Sequence, residues 1–430
     1  MKKDSNMEEN TIRTQYLVIG NSAAGIGAVQ GIRSVDPSGQ LLLLSDEPHH
    51  TYSRPLISYW LQGRVEPENM VYRDTDFYDD NGVTALLGPD YRVESIDGEN
   101  KTAKLANGQT VVFDKAVIAS GSAPFVPPIG GLETAQDDFT FTKLADAQGV
   151  RDVVDRVNEE GRQPKVVILG AGLIGLKAAE ALNDQAESII IIDLAPRVLP
   201  SVLTEGTAGY VQEILADRGL DFRLGRSITS IGDHQVTLSD DETLPYDVLI
   251  LAAGTRPAVG FAKEAGIECG RGILTDEHQE TNMAGIYAAG DCTDSMDISS
   301  GQVRNMAVLP NAFMQGQTAG VSMAGEEAVY DKGFPVNSLG LLGFYMLSAG
   351  SYTGDELVVN DGECVKHFFL GDDRLNGFII FGDCPRAGIY TDLIRNKTDL
   401  AGIDTDRLFR EPGIMAFGTQ ARAAKVARPH

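Results

Sequence analysis

Gly170-Ala171-Gly172-Leu173-Ile174-Gly175 sets three glycines at a point where a strand gives way to a helix. A looser version of the same turn, Gly20-Asn21-Ser22-Ala23-Ala24-Gly25, lies near the N-terminus. In such a turn the first glycine makes the tight bend. The second lets an anion approach the backbone, and the third lets the helix pack on the strand. The N–H groups left open at the helix start, with the helix dipole behind them, form a cradle for a pyrophosphate. Each turn follows a short apolar run, Tyr16 to Ile19 and Val166 to Leu169, and each opens an Ala-rich helical segment. Two cradles in one chain point to two dinucleotides, held together so that a hydride can pass between them.

The carboxylates that should accompany such cradles are present. Asp46 and Glu47 end the strand after the first, and Asp193 ends Ile189-Ile-Ile-Ile-Asp193 after the second. At that distance a carboxylate accepts hydrogen bonds from the hydroxyls of an adenosine ribose. A carboxylate at Asp193 repels a 2′-phosphate, so NADH is expected over NADPH. Arg197 could partly restore NADPH binding, but its preferred reading is a solvated surface arginine. The first cradle has Ser22 in place of the middle glycine, a change that FAD sites tolerate better than NAD sites. It is therefore assigned to FAD, and the second, with all three glycines, to NAD.

These turns must sit on a repeated scaffold. The series of cradle, acidic strand end and [Phe/Tyr]-Asp-x-x-[Val/Ile]-x-Ala-x-Gly occurs twice, closing at Phe113–Gly121 and again at Tyr246–Gly254. Strands and helices alternate from Gln15 to about Val198, which predicts parallel sheets. The expected fold is α/β, with two Rossmann-like dinucleotide-binding domains. The first spans residues 11–124 and 257–330, because the chain returns to it through Gly285-Ile-Tyr-Ala-Ala-Gly-Asp291; the second spans 132–256. The stretch Ser122 to Gly131 reads as a linker, its Pro and Gly content disfavouring continued helix or strand. Residues 331–430 change character, with alternating runs such as Cys364–Leu370 and Asn376–Phe381, and read as a small α+β domain.

Composition narrows the function. A formal charge of −25 makes nucleic acid an improbable partner. No apolar run reaches the ~20 residues of a membrane helix, and Met1–Asn10 has no apolar core of a secretory signal, so a cytoplasmic location is expected. The four cysteines are widely spaced, and the six histidines form no ligand set, so no metal site is expected.

Taken in order, these motifs resemble the pyridine nucleotide–disulfide oxidoreductase superfamily over residues 15–330. Ser45-Asp-Glu-Pro-His-His-Thr-Tyr-Ser-Arg-Pro-Leu-Ile-Ser58 resembles its single-flavin branch. That branch includes NADH:rubredoxin and ferredoxin reductases, the flavin portion of NAD(P)H nitrite reductase, and apoptosis-inducing factor. Residues 331–430 are similar to the branch's C-terminal interface domain, and Asp392–Leu400 to its nitrite reductase-like members. The resemblance implies that Gly20, Ser22, Ala23, Ala24, Gly25, Asp46, Glu47, Arg54, Val93, Ala119, Gly121, Asp291 and Val308 contact FAD. Arg54 would neutralise the pyrophosphate, and Asp291 would bond the ribityl chain. The helix after Val308 would aim its N-terminus at the flavin. Gly170, Gly172, Leu173, Ile174, Gly175, Asp193 and Gly254 would contact NAD. NADH would pass a hydride to flavin N5, and electrons would leave for an iron–sulfur or rubredoxin-like acceptor.

Two departures stand out. Many relatives place a Lys after Arg-Pro-x-x-Ser and a Glu after the NAD cradle; here these positions are Tyr59 and Lys177. Lys177 is expected to supply positive charge near the isoalloxazine, with Tyr59 as its hydrogen-bond or stacking partner, against the alternative of a solvated helix lysine. Second, no cysteine lies between Asp46 and Gly63, where disulfide reductases carry theirs. Cys292 lies beside Asp291 but has no resolving partner, so electrons should leave without a thiol relay. Ferredoxins and rubredoxins are themselves acidic, so this acidic chain is expected to work beside a docked iron–sulfur subunit, or through the basic cluster Arg422, Lys425 and Arg428. Homodimers and hetero-oligomers both fit the sequence. Oxygen reduction by an NADH oxidase, and a slow flavin scaffold resembling apoptosis-inducing factor, are the competing functions.

Overall fold

The computed structural model describes residues 10–362, 364–419 and 422. The first cradle belongs to a seven-stranded sheet. Thr11–Ile19 runs parallel to Leu41–Ser45 on one side and Thr110–Ile118 on the other, and Val83–Leu87 extends the first side. Leu17, Val18, Leu43 and Val117 are completely buried. Strands covered on both faces need such unbroken apolar runs. After Val83–Leu87 the chain makes an antiparallel excursion, Val93–Asp97 and Thr102–Leu105, and returns as Thr110–Ile118. Ile286–Ala288, far along the chain, pairs in parallel with Ala116–Ile118.

The second cradle belongs to a parallel five-stranded sheet ordered Leu220–Leu224, Ser188–Asp193, Lys165–Leu169, Val248–Leu251 and Asp138–Phe139. Its antiparallel excursion, through Ile228–Gly232, Gln235–Leu238 and Thr243–Pro245, comes at the same point between third and fourth strands. Both units are therefore Rossmann-like, and each cradle sits where the strand order reverses.

The Pro-rich stretch after Gly121 is not closed to strand. Ser122–Pro124 pairs antiparallel with Thr255–Pro257, so the two passages between the units lie side by side. A two-stranded ribbon has free edges, and these accommodate prolines that lack an N–H.

The C-terminal segment is an antiparallel sheet ordered Val336–Leu341, Phe344–Gly350, Arg374–Phe381, Val365–Gly371 and Asp355–Asn360. Phe368, Phe378 and Leu375 face Tyr390, Leu393 and Phe409 of the helices Gly388–Arg395 and Thr405–Arg410. Leu341, Met346, Phe369 and Phe381 join a core with Val198, Leu203 and Val211 of the second unit. The apolar Leu341–Leu347 run thus packs largely on its own chain. Its hairpin turns at Leu342 and Gly343 with φ of 49° and 76°, the positive values that a two-residue turn requires. Leu342 is held there by both backbone groups: its N–H donates to Glu180 Oε1 at 2.7 Å, and its carbonyl accepts from Arg218.

The helix after the first cradle, Ala23–Val35, crosses Leu309–Ala324 at very short range. A Cβ on Gly27 would strike the Phe313 carbonyl, and one on Gly316 would strike that of Ala24; Gly31 and Gly320 are equally confined. Leu at position 316 must force these backbones apart. Overpacking costs about 1–3 kcal/mol even where side chains can yield, and here the obstacle is backbone. Gly316→Leu is expected to lower the thermal midpoint and soluble yield sharply. Gly206→Leu, also helical but with open space around it, is the control, read by thermal melting.

Candidate functional site

The two cradles share one construction. Gly20 (φ 125°) and Gly170 (φ 120°) are in backbone regions that L-residues rarely adopt, and a Cβ on either would hit the carbonyl of Ala119 or Ala252. Those carbonyls come directly after the strands Thr110–Ile118 and Val248–Leu251. Their own N–H groups donate to Ile19 at 2.8 Å and Leu169 at 2.7 Å. A Cβ on Gly25 would meet the Gly20 carbonyl, and one on Gly175 that of Gly170. The middle positions behave differently. Ser22 and Gly172 both cap their helices in extended conformation, and Gly172 has nothing within 4 Å of where a side chain would begin. Neither helix has an acidic residue in its first turn or a side-chain cap on its N–H groups. The donors are thus left for an anion, which fits a pyrophosphate at each cradle. Ala23 and Ala24 are buried beneath the first cradle, while Leu173 and Ile174 are half-buried at the second. Gly121 and Gly254, at φ of 68° and 102°, open the space beyond the fourth strands.

The two carboxylates after the first cradle part company. Asp46 turns outward to an ion pair with Lys143 at 2.8 Å. Glu47 is buried, accepts from the Tyr52 hydroxyl at 2.6 Å and pairs with Arg54. It lines a recess with Asn21, Ser45, His49, His50, Tyr52 and Arg54. Burial opposes the Arg54 charge, but Tyr52 and Glu47 outweigh it and raise its pKa. Asp193 accepts from the N–H groups of Ala171 and Ala195, both at 2.7 Å, so it braces the second cradle directly. Arg197 is not a solvated surface arginine. The loop after Asp193 folds back, with Leu199 N–H donating to the Ala171 carbonyl at 2.9 Å, and leaves Arg197 half-buried with its Nε out of contact with water.

Asp291 follows Gly290, whose N–H donates to Gln315 Oε1 at 2.7 Å. Burial raises the Asp291 pKa, opposed by Ser122 and by the charge of Arg54. Val308 caps the helix Leu309–Ala324, which carries Pro310 and no acid in its first turn. Val93 packs against the core under the first sheet, apart from the recess around Arg54.

A sequence profile of pyridine nucleotide-disulphide oxidoreductases matches residues 14–316. The chain belongs to this family. It is 30% identical over 407 residues to the NADH-dependent phenylglyoxylate dehydrogenase subunit epsilon of Aromatoleum evansii, covering 92% of this chain and 94% of the relative. It is 27% identical to the NAD(P)H nitrite reductase of Bacillus subtilis, covering 96% of this chain but about half, 51%, of that protein. Among solved structures, a ferredoxin reductase from Rhodopseudomonas palustris shares the fold with a TM-score of 0.82 at 22% identity, covering 97% of this chain and 100% of the other.

In the fold, Tyr59 and Lys177 acquire a third participant. The Lys177 ammonium lies over the Tyr59 ring, 4.4 Å from its centroid. It also pairs with Glu180 and donates to the Gly340 carbonyl at 3.2 Å. Glu180, 7% exposed, spends its other oxygen on Leu342 N–H. Lys177 is therefore no solvated helix lysine. It ties the Ile57–Leu61 helix, the Leu173–Leu182 helix and the C-terminal hairpin together. Lys177→Met is expected to leave Glu180 buried without its counter-charge, a loss of about 3 kcal/mol for a fully buried pair and less here. The thermal midpoint should fall, and the flavin potential should shift if the ammonium also acts on the flavin. Melting and spectroelectrochemistry separate the two effects.

Cys292 does not face the site. Its thiol donates to the Ile118 and Ala289 carbonyls at 3.3 Å inside the sheet, and burial raises its pKa to about 11. Among the described residues no cluster of His, Cys, Asp and Glu could hold a metal, and no helix is long and apolar enough to cross a membrane. Of the basic C-terminal cluster, Lys425 and Arg428 lie outside the described residues.

Two site residues escaped the sequence reading. Tyr52 bridges Glu47 and the Leu144 N–H, and Asn305 donates to the Asp291 carbonyl at 2.8 Å. Tyr52 lies inside the Tyr-Ser-Arg-Pro string and could have been found there. Asn305 carries no local signal, since only the fold brings it to Asp291.

Proposed function

We propose that this chain is an FAD-dependent NADH:acceptor oxidoreductase that serves as the flavin component of a larger redox enzyme. The observation that carries the proposal is the pair of open cradles on duplicated units, one paired with Glu47 and Arg54 and the other with Asp193, without a cysteine from Asp46 to Gly63. Bound FAD supplies a centre that accepts a hydride and releases electrons singly. The chain's own residues hold and orient. Gly20–Gly25 and Arg54 fit the FAD pyrophosphate, Glu47 its ribose, and Asp291 with the helix after Val308 the flavin end. Gly170–Gly175 fit the NADH pyrophosphate. Asp193 favours an unphosphorylated ribose, so NADH is preferred over NADPH.

The acceptor is an iron–sulfur or rubredoxin-like protein. A chain with formal charge −25 repels a freely diffusing acidic acceptor, and a standing complex removes the repeated encounter. The similarity to a dehydrogenase subunit and to half of a nitrite reductase supports this arrangement. Purification of the native assembly should yield yellow protein with associated iron. Anaerobic NADH should bleach the yellow band, and stopped-flow mixing should restore it faster with the iron–sulfur partner than with oxygen. Rapid oxygen uptake by the isolated chain would favour an NADH oxidase instead. A long-lived charge-transfer band with slow turnover would favour a scaffold.

A further inference from the structure

The C-terminal sheet holds two thiols that the proposed electron path does not use. Cys364 lies immediately before Val365–Gly371, and Cys384 three residues after Arg374–Phe381. Val365 pairs with Phe381, so the two cysteines are at the same end of adjacent strands. Both join the core beneath the Gly388–Arg395 helix, at 6% and 8% exposure. Both are free thiols. Beside them Lys366 is 2% exposed, pairs with Asp361 at 3.0 Å and donates to the Arg410 carbonyl at 2.6 Å.

The geometry assigns Cys364 and Cys384 as an oxidisable pair that closes to an intramolecular disulfide under a hydroperoxide, with Cys384 as the attacking sulfur and Cys364 as the resolving one. The division of roles follows from the neighbours. Cys364 lies 3.5 Å from Asp361 Oδ2, an acceptor that keeps its proton in place. Among the described residues no carboxylate accepts from the Cys384 thiol in this way, so its proton is the freer of the two. Burial raises both thiols, Cys364 to about 11, so the reaction is slow and proceeds through local opening of the loop before the Gly388–Arg395 helix. In the first step the Cys384 thiolate attacks one peroxide oxygen and the O–O bond breaks, giving a sulfenic acid and, after protonation, water. The Cys364 thiol then displaces the second water. Two thiols and one hydrogen peroxide become one disulfide and two waters.

The test treats the intact flavin-loaded chain with hydrogen peroxide, denatures it in excess alkylating reagent and counts labels by mass. Four labels before oxidation should become two, with a peptide joining Cys364 to Cys384, and dithiothreitol should restore all four. Four labels after oxidation, loss confined to Cys269, or a link between two chains would overturn the assignment. Cys364→Ser should leave a dimedone-reactive sulfenic acid at Cys384, and Cys384→Ser should leave none; the reverse pattern would overturn the roles. Should either variant fail to fold, the label count on the unaltered chain still decides. The count is independent of NADH oxidation, so it stands or falls apart from the proposed function.

Discussion

Gly172→Val is expected to fold, to retain FAD and to lose NADH. The position is open to a side chain, and its backbone is extended in a region any residue adopts, so the substitution meets no wall. What it fills is the space through which an anion reaches the helix N-terminus. Charge-assisted hydrogen bonds are each worth about 1.5–3 kcal/mol. Losing two of them raises the NADH concentration needed for half-maximal flavin reduction by on the order of 100-fold or more. The control is Gly175→Val, where the Cβ collides with the Gly170 carbonyl. That variant should lose thermal stability together with NADH. Anaerobic titration of the yellow flavin band, alongside the thermal midpoint, separates the two. Unchanged NADH affinity in Gly172→Val would remove the second cradle from the site.

The contrast between those two glycines also shows what the sequence makes legible. The cradles, their strands and the duplication are local: each is a run of neighbouring residues with one period, and the apolar runs through Leu17 and Val167 needed no partner to be read. Asp46 and Glu47 stand side by side in sequence, and alternation along the chain does not tell which faces the recess; Lys143, nearly a hundred residues away, draws Asp46 outward. The cluster at Lys177 is still less local. Its helix, Tyr59 and the Gly340–Leu342 turn belong to three separate segments. Only the register of the C-terminal hairpin puts Glu180 between them. The ribbon formed by Ser122–Pro124 was hidden for a related reason, since proline content reports what a residue cannot donate and not whether a second passage lies beside it.

Asp291→Asn is expected to stabilise the FAD-free chain at neutral pH and to weaken its hold on FAD. Burial raises the Asp291 pKa in the folded chain, above the ~3.9 of an unfolded aspartate. Between those two values the folded state binds more protons than the unfolded state. Its stability therefore falls as pH rises through that window, and the deficit persists at higher pH. An amide cannot ionise, so the substitution should flatten this slope in urea titrations of FAD-stripped protein from pH 4 to pH 7. The same ionised carboxylate, held beside Ser122 and within reach of the Arg54 charge, is the stronger acceptor for ligand hydroxyls. Replacing a charged acceptor with a neutral one forfeits about 1.5 kcal/mol, so FAD should dissociate at least about tenfold more readily. A destabilised carboxylate whose charge the ligand hydroxyls would further stabilise ties the stability of the first unit to its cofactor. FAD should consequently raise the thermal midpoint of the unaltered chain more than that of Asp291→Asn. Equal increments in the two proteins, with parallel urea titrations, would place Asp291 outside the cofactor site.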